Sequence, residues 1–353
     1  IATGDSFRRL VARTLSIHIL KEVEEHCAPF QFALSTRAGT DAAAHFLRAA
    51  SEMRDDATIV ALDGVGAYDH VSRAEMFRAL LGNASLAPLL PYARTFYGRT
   101  SRYVWYDDDG ACHEIRQGEG VEQGDALSPA FFSLALHRAL EEANARLQPG
   151  EAPIAYLDDV CILTRPEKAR AAFDTVTQVI EHTAGIRPNL GKCACWNARG
   201  GEAPPGIAEL GSEEDKVWRG DGPAAERGLI ILGNPVGTAE FVRTQAQQRM
   251  EKEQGLLDWL PKMGDLQCAW LLLALCATPR ANHVVRALPP TQAREYAAEH
   301  DSRIWTTLQQ LLGHAPHRNQ ARRARTLAAL PGRLGGLGLR SAERTSPAAY
   351  WAS

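Results

Sequence analysis

The spacing of apolar side chains changes character near residue 240 of this 353-residue chain. Ahead of that point short β-branched runs alternate with helical stripes, and beyond it only the helical spacing persists. Residues 7–25 open on Phe7-Arg8-Arg9-Leu10-Val11, which reads as a short basic strand, and continue as an amphipathic helix. Thr40-Asp41 caps a second helix that ends near Met53. Thr58 to Leu62 (TIVAL) predicts a buried strand running straight into Asp63. Residues 72–82 and 86–97 have helical spacing, while Tyr103–Tyr106 and 111–116 predict a hairpin turned by Asp109-Gly110. Pro129 takes the first position of a helix over 129–147. The apolar runs 154–157 and 160–163 flank Asp158-Asp159, a hairpin with an acidic tip, and a helix follows over 167–184. Gly, Pro and charge dominate 197–227, an irregular insert, before strand and turn resume over 228–236. Helices are predicted over 240–260, 265–277, 291–312 and 318–329, so the fold class is α+β with an all-helical back.

Composition is that of an ordinary globular protein, 45% apolar and 23% charged, long enough for two or three packed subdomains. No run approaches the roughly 18 apolar residues that span a bilayer. The longest, Cys268 to Ala277, holds 10 and predicts a buried helix. The chain opens on Ile1 with no leader pattern and is expected to be a piece of something longer. Seven cysteines without paired knuckles point to reduced thiols in an intracellular protein. Cys193 and Cys195 have no second pair at zinc spacing, so structural zinc is not expected. Net charge is −3, yet residues 241–353 carry 15 Lys or Arg against 8 Asp or Glu, a balance of +7 that leaves −10 elsewhere. A basic back half suits a polyanion, although a solvated basic surface would look the same.

Three carboxylates fall at strand ends: Asp63, Asp158 and Asp159. Such groups repel one another, and a divalent cation removes that cost because hard oxygen ligands suit Mg²⁺. An Asp-Asp pair between two apolar runs is, on its own, more often a simple turn. Tyr106 to Gly110 (YDDDG) is also acidic, but its Asp-Gly makes it a solvated hairpin loop.

The neighbouring segments change the balance. Asp63 to Asp69 (DGVGAYD), Gln123 to Pro129 (QGDALSP) and Tyr156 to Asp159 (YLDD), in this order, resemble the three central motifs of reverse transcriptases. The resemblance implies a right-hand polymerase: fingers over 1–56, truncated at the N-terminus, palm over 57–240, helical thumb over 241–330 and a C-terminal tail over 331–353. It implies two Mg²⁺ ions, with Mn²⁺ as the alternative, held by Asp63 and Asp158 with Asp159 completing the site, while Asp69 is structural. Tyr68 falls where the family places the ring that excludes a ribose 2′-hydroxyl. Gln123 and Gly124 form the turn that approaches the templating base pair. Ala126 stands where the family usually has Pro, and Leu157 where many relatives carry Ala or Met; neither change removes a polar group.

Flanking segments extend the likeness. Arg8, with Arg9 second, resembles the basic fingers residue that grips the incoming triphosphate. Pro188 to Lys192 (PNLGK) resembles the palm motif whose lysine, here Lys192, protonates departing pyrophosphate. Ile231-Leu232-Gly233 resembles the hairpin that steadies the primer end, and Arg280, Arg286, Arg322, Arg323 and Arg325 are the candidates for contacts with the template–primer duplex. Leu334 to Leu339 (LGGLGL) resembles a segment downstream of this domain in non-LTR retrotransposons. The partners implied are an RNA template, a DNA primer at a nicked target and deoxynucleoside triphosphates; no constellation in this chain suits the nicking nuclease, and copying into a chromosome would require access to the nucleus. Three alternatives stay open. They are a reverse transcriptase of group II intron type, an RNA-dependent RNA polymerase, which Tyr68 disfavours, and a decayed relative that binds nucleic acid without catalysis.

Overall fold

A computed structural model of the chain describes residues 6–34, 36–212, 215–313 and 318–353. They fall into two compact units, Ile1–Asp221 and Gly222–Ser353.

The first unit begins with α1 (Ser6–Cys27). Ala12, Ser16, Ile19, Val23 and Cys27 are buried at spacings of three and four, one continuous helical stripe. The short strand expected at 7–11 is therefore the first turns of this helix, because packing of one face outweighs local β preference. Next come α2 (Gly39–Met53), β1 (Thr58–Leu62) and the one-turn α3 (Ala67–His70). Then follows α4 (Arg73–Gly82), capped by Ser72 accepting from the Glu75 amide. The helix expected over 86–97 starts late, as α5 (Leu90–Tyr97), because Pro88 keeps residues 84–89 in a tighter turn. The β2 (Ser101–Tyr106) and β3 (Cys112–Gln117) hairpin is as expected. Its acidic loop is held by Asp107, which accepts from the Ala111 amide at 2.8 Å and pairs with His113 at 2.7 Å.

Next, α6 (Ser128–Arg146) runs through the middle of the unit, with Phe131, Phe132, Leu134, Leu136 and Ala139 all closed to solvent. A helix apolar around its circumference must be surrounded. The remaining elements are β4 (Ala152–Tyr156), β5 (Asp159–Thr164), α7 (Ala169–Val179) and β6 (Ala194–Trp196). The sheet is antiparallel with order β4-β5-β1-β6. The segment 197–227 is irregular, as its Gly and Pro predict, but it is not merely solvated. Ile207, Leu210, Val217 and Trp218 join the main core, and the Trp218 indole N–H donates to the Gly201 carbonyl at 2.9 Å.

The second unit opens with the hairpin β7 (Gly228–Ile231) and β8 (Asn234–Gly237). Gly228 and Gly237 pair across it beside the Phe241 ring, where no β-carbon would fit. The helices are α8 (Ala239–Trp259), α9 (Leu266–Leu272), α10 (Ala281–Ala287), α11 (Pro290–Leu311), α12 (Arg318–Ala328) and α13 (Ala342–Trp351). Because the hairpin packs with α8, the division falls at 221/222 rather than near the expected 240. The segment expected as a tail, 331–353, supplies α13, whose Ala342 shares a core with Val284, Val285 and Tyr296. The apolar run at 268–277 is buried on one side only: Ala269, Leu273 and Ala277 point in, while Leu275 is 70% exposed. Among the described residues no helix is long and apolar enough to cross a membrane.

Trp218→Ala tests whether the irregular segment belongs to the core. It should destabilise the chain by about 3–5 kcal/mol in urea unfolding, the cost of emptying a fully buried large side chain, whereas a solvated loop would lose almost nothing.

Candidate active site

The pairing of β1 with β5 decides where the carboxylates go. Its last pair is Leu62 opposite Val160. One step further along this register Asp63, just past β1, falls opposite Asp159, the first residue of β5, at the roughly 5 Å spacing expected of facing residues. The β4–β5 hairpin closes with Tyr156 opposite Asp159, so its two-residue tip is Leu157-Asp158, one position earlier than the sequence suggests. Two-residue hairpins require positive φ, and Leu157 adopts it at 55°. Gln31 anchors this tip by accepting from the Leu157 amide at 2.7 Å.

The three acids are gathered at one sheet end but are not closed into a cage. Among the described residues, no group of three or more His, Cys, Asp or Glu side chains is placed to hold a metal ion. Loss of hydration, followed by the charges of Asp158 and Asp63, holds the Asp159 carboxyl above the ordinary range. Asp63 is tied differently. Asn189 donates to its carboxylate at 3.0 Å and to its carbonyl through the backbone amide at 2.8 Å, and Lys192 Nζ stands 3.9 Å from the same carboxylate. These contacts come from the segment 188–192, in which Lys192 was singled out and Asn189 was not. Hard, mutually repelling oxygens with open flanks fit divalent ions that take one or two carboxylates and complete their shell from substrate.

Beside the acids lies Tyr68 on α3. Its ring stacks on Phe132 of α6 with centroids 4.6 Å apart and planes 9° apart. Burial, then the charge of Asp158, pushes its hydroxyl above the usual tyrosine value. The Tyr68 carbonyl accepts from the Val121 amide at 2.7 Å, and Gly120 passes so close to the Tyr68–Asp69 backbone that no side chain could stand there. Asp69 itself is exposed.

Gln123 and Gly124 are exposed, with Gly124 at φ 94°, between the buried acids Glu122 and Asp125. Asp125 accepts from Tyr92 Oη at 2.6 Å and from the Leu127 amide at 2.9 Å, which starts α6 in place of a cap. Arg8 was expected to face a triphosphate from a strand; it lies in α1, ion-paired with Glu122 and with Asp125 at 3.0 Å. Arg9 is exposed. Arg73, Asn189, Glu122, Asp125 and Gln31 are the organising residues that sequence reasoning did not single out. Arg73 is 5% exposed and donates to the carbonyls of Gly120 at 2.8 Å and Arg99 at 2.9 Å. The only signal for Asp125 and Asn189 was their presence inside the quoted motifs.

In the second unit, Leu232 and Gly233 form the β7–β8 tip, both at positive φ. Gly233 borders a groove of about 550 Å³ shared with Arg249, Lys252, Arg280 and His283. Arg286 and Arg323 are exposed, and Arg322 and Arg325 line a separate cavity of about 200 Å³ with Arg340 and Arg344.

Residues 5–223 match the family model described as reverse transcriptase (RNA-dependent DNA polymerase). The chain is 24% identical over 347 residues to the retrotransposable element SLACS 132 kDa protein of Trypanosoma brucei gambiense; the match covers 96% of this chain and 27% of that protein. It thus spans about a quarter of that relative's length. Among solved structures, telomerase from Candida albicans in complex with a TWJ fragment of telomeric RNA aligns with a TM-score of 0.45 and 12% identity, over 87% of this chain and 51% of the other. Apo telomerase from Candida tropicalis aligns at 0.46 and 11%, over 87% and 50%. With an antiparallel sheet packed on helices and its three motifs inside the matched span, the chain belongs to the reverse transcriptase (RNA-dependent DNA polymerase) family, of right-hand polymerase fold.

Proposed function

We propose that this chain is the polymerase core of a non-LTR retrotransposon protein, extending a DNA primer on an RNA template by two-metal phosphoryl transfer. The observation that carries it is the β1–β5 register, which delivers Asp63 beside Asp159 at the sheet end that also bears Asp158. Asp63 and Asp158 would hold the ions, Mg²⁺ by the hardness of the donors, and Asp159 would complete the charge. Bound there, two such ions would supply activation of the attacking hydroxyl and stabilisation of the leaving oxygen. Asn189 orients Asp63 for that task. Lys192, exposed and 3.9 Å from the Asp63 carboxylate, would give a proton to departing pyrophosphate. Tyr68, immobilised on Phe132, blocks the volume of a 2′-hydroxyl and so selects deoxynucleotides. Gln123 and Gly124 offer open backbone to the nascent base pair. Leu232, Gly233 and the second-unit arginines, Arg280, Arg286, Arg322 and Arg323 among them, serve the primer and the duplex through phosphate contacts.

Primer extension on poly(rA)/oligo(dT) is the direct test. The chain should incorporate dTTP and not UTP when a divalent ion is supplied, while binding without extension would mark a decayed relative. Asp158→Asn should cut extension on the order of 10²–10³-fold while duplex affinity stays within about twofold. Tyr68→Ala should relax discrimination against UTP by at least about tenfold, read from the kcat/KM ratio of the two nucleotides.

Asp159 supplies a prediction without catalysis. Its carboxyl is raised in the folded chain, so its charged form costs stability. That cost is absent below the unfolded value of roughly 4 and grows as pH rises through the raised folded value. Asp159→Asn should therefore raise the Tm of metal-free protein by about 1–2 °C at neutral pH and change nothing in strong acid. An equal gain at both pH values would refute the charge argument.

A further inference from the structure

We infer that Arg8 is a positioning residue which staples the Gln123–Gly124 turn, a role that rests on the polymerase reading for its functional meaning. The geometry is that of a clamp. Glu122 and Asp125 bracket the two turn residues, and one guanidinium engages both, Nη1 with Glu122 and Nε with Asp125 at 3.0 Å. The separation of the two acids, and with it the path of the exposed backbone between them, is tied to a rigid planar fork.

The surroundings fix the fork itself. Arg8 Nη2 donates to Tyr97 Oη at 3.0 Å and Nε approaches Tyr92 Oη at 3.3 Å, while the guanidinium lies 4.3 Å from the Phe96 ring centre. Tyr97 Oη also accepts from the Glu122 amide at 3.3 Å, so the same hydroxyl touches the guanidinium and the backbone at the start of the turn. Glu122 and Asp125 are each 8% exposed. Two acids that close, out of water, would force the turn apart or take up a proton without an opposing charge. A lysine could not replace the arginine, because an ammonium is a point charge without the fork. Gly124, by contrast, has nothing within 4 Å of the place its β-carbon would occupy. The turn is held rigidly from within and left open on its outer side, where a nucleotide would pack.

The staple can be read with and without turnover. In the ligand-free full chain, Arg8→Lys should speed amide hydrogen exchange over residues 122–127 by about tenfold while leaving the β7–β8 hairpin unchanged; unaltered exchange at 122–127 would overturn the proposal. In primer extension, Arg8→Lys and Asp125→Asn should each raise KM for dTTP about tenfold with kcat within threefold, and the double variant should be no worse than the poorer single. Should Asp125→Asn leave KM unchanged or lower it while Arg8→Lys raises it, the guanidinium contacts the triphosphate and the staple is wrong. A fall in active fraction at unchanged KM equally refutes it. Tyr97→Phe, which keeps the ring and removes one hydrogen bond to Arg8, guards against a failure to fold and should raise KM about threefold; a wild-type KM there counts against the staple. A wild-type chain that extends no primer defeats the polymerase reading alone, since the exchange measurement still decides the clamp.

Discussion

The antiparallel register of β1 against β5 is the constraint on which the site depends. A slip of one residue would send the side chains of β1 to the opposite face of the sheet, parting Asp63 from Asp159 and turning Val60 and Leu62 away from the core they share. The register is held by burial on the core side, where β1 lies among residues closed to solvent. The hydrophobic core and the acidic cluster are thus specified by the same ladder of hydrogen bonds. Immediately beyond Asp63 the chain must turn back so that Tyr68 lands on Phe132, and Gly66 at φ 52° permits that reversal.

The molecule treats its acids in two ways. Asp125 is buried and answered by Arg8, the Tyr92 hydroxyl and the Leu127 amide, and Glu122, buried beside it, is paired with the same arginine. Asp158 and Asp159 are exposed, the charge of Asp158 bears on Asp159, and among the described residues neither is paired with a basic side chain. Uncompensated like charge at a sheet end is unfavourable for stability, and proteins retain it where chemistry requires it.

Much of this was legible in the residues. The TIVAL strand, the hairpin around the acidic pair and the Pro129 helix each carried a local signal strong enough to survive packing. What was not legible depended on partners far away in sequence. Nothing near Arg8 announces that Glu122 and Asp125, more than a hundred residues on, would draw it into a helix. Trp218 sits amid Gly, Pro and charge, yet β6 recruits it into the core. The exposed side of 268–277 was misread because ten apolar residues in a row conceal which face has a partner.

Leu157 holds a left-handed backbone although it is not glycine, a posture that costs roughly 1–2 kcal/mol for a residue with a side chain. Glycine would remove that cost, and it would also let the tip wander through many more shapes. Leucine, pinned by Gln31, narrows those shapes in advance, so Asp158 would lose little freedom in taking the cation proposed for it. Under the proposed function, the ordering entropy of ion capture would in this way be moved out of the binding step and into folding.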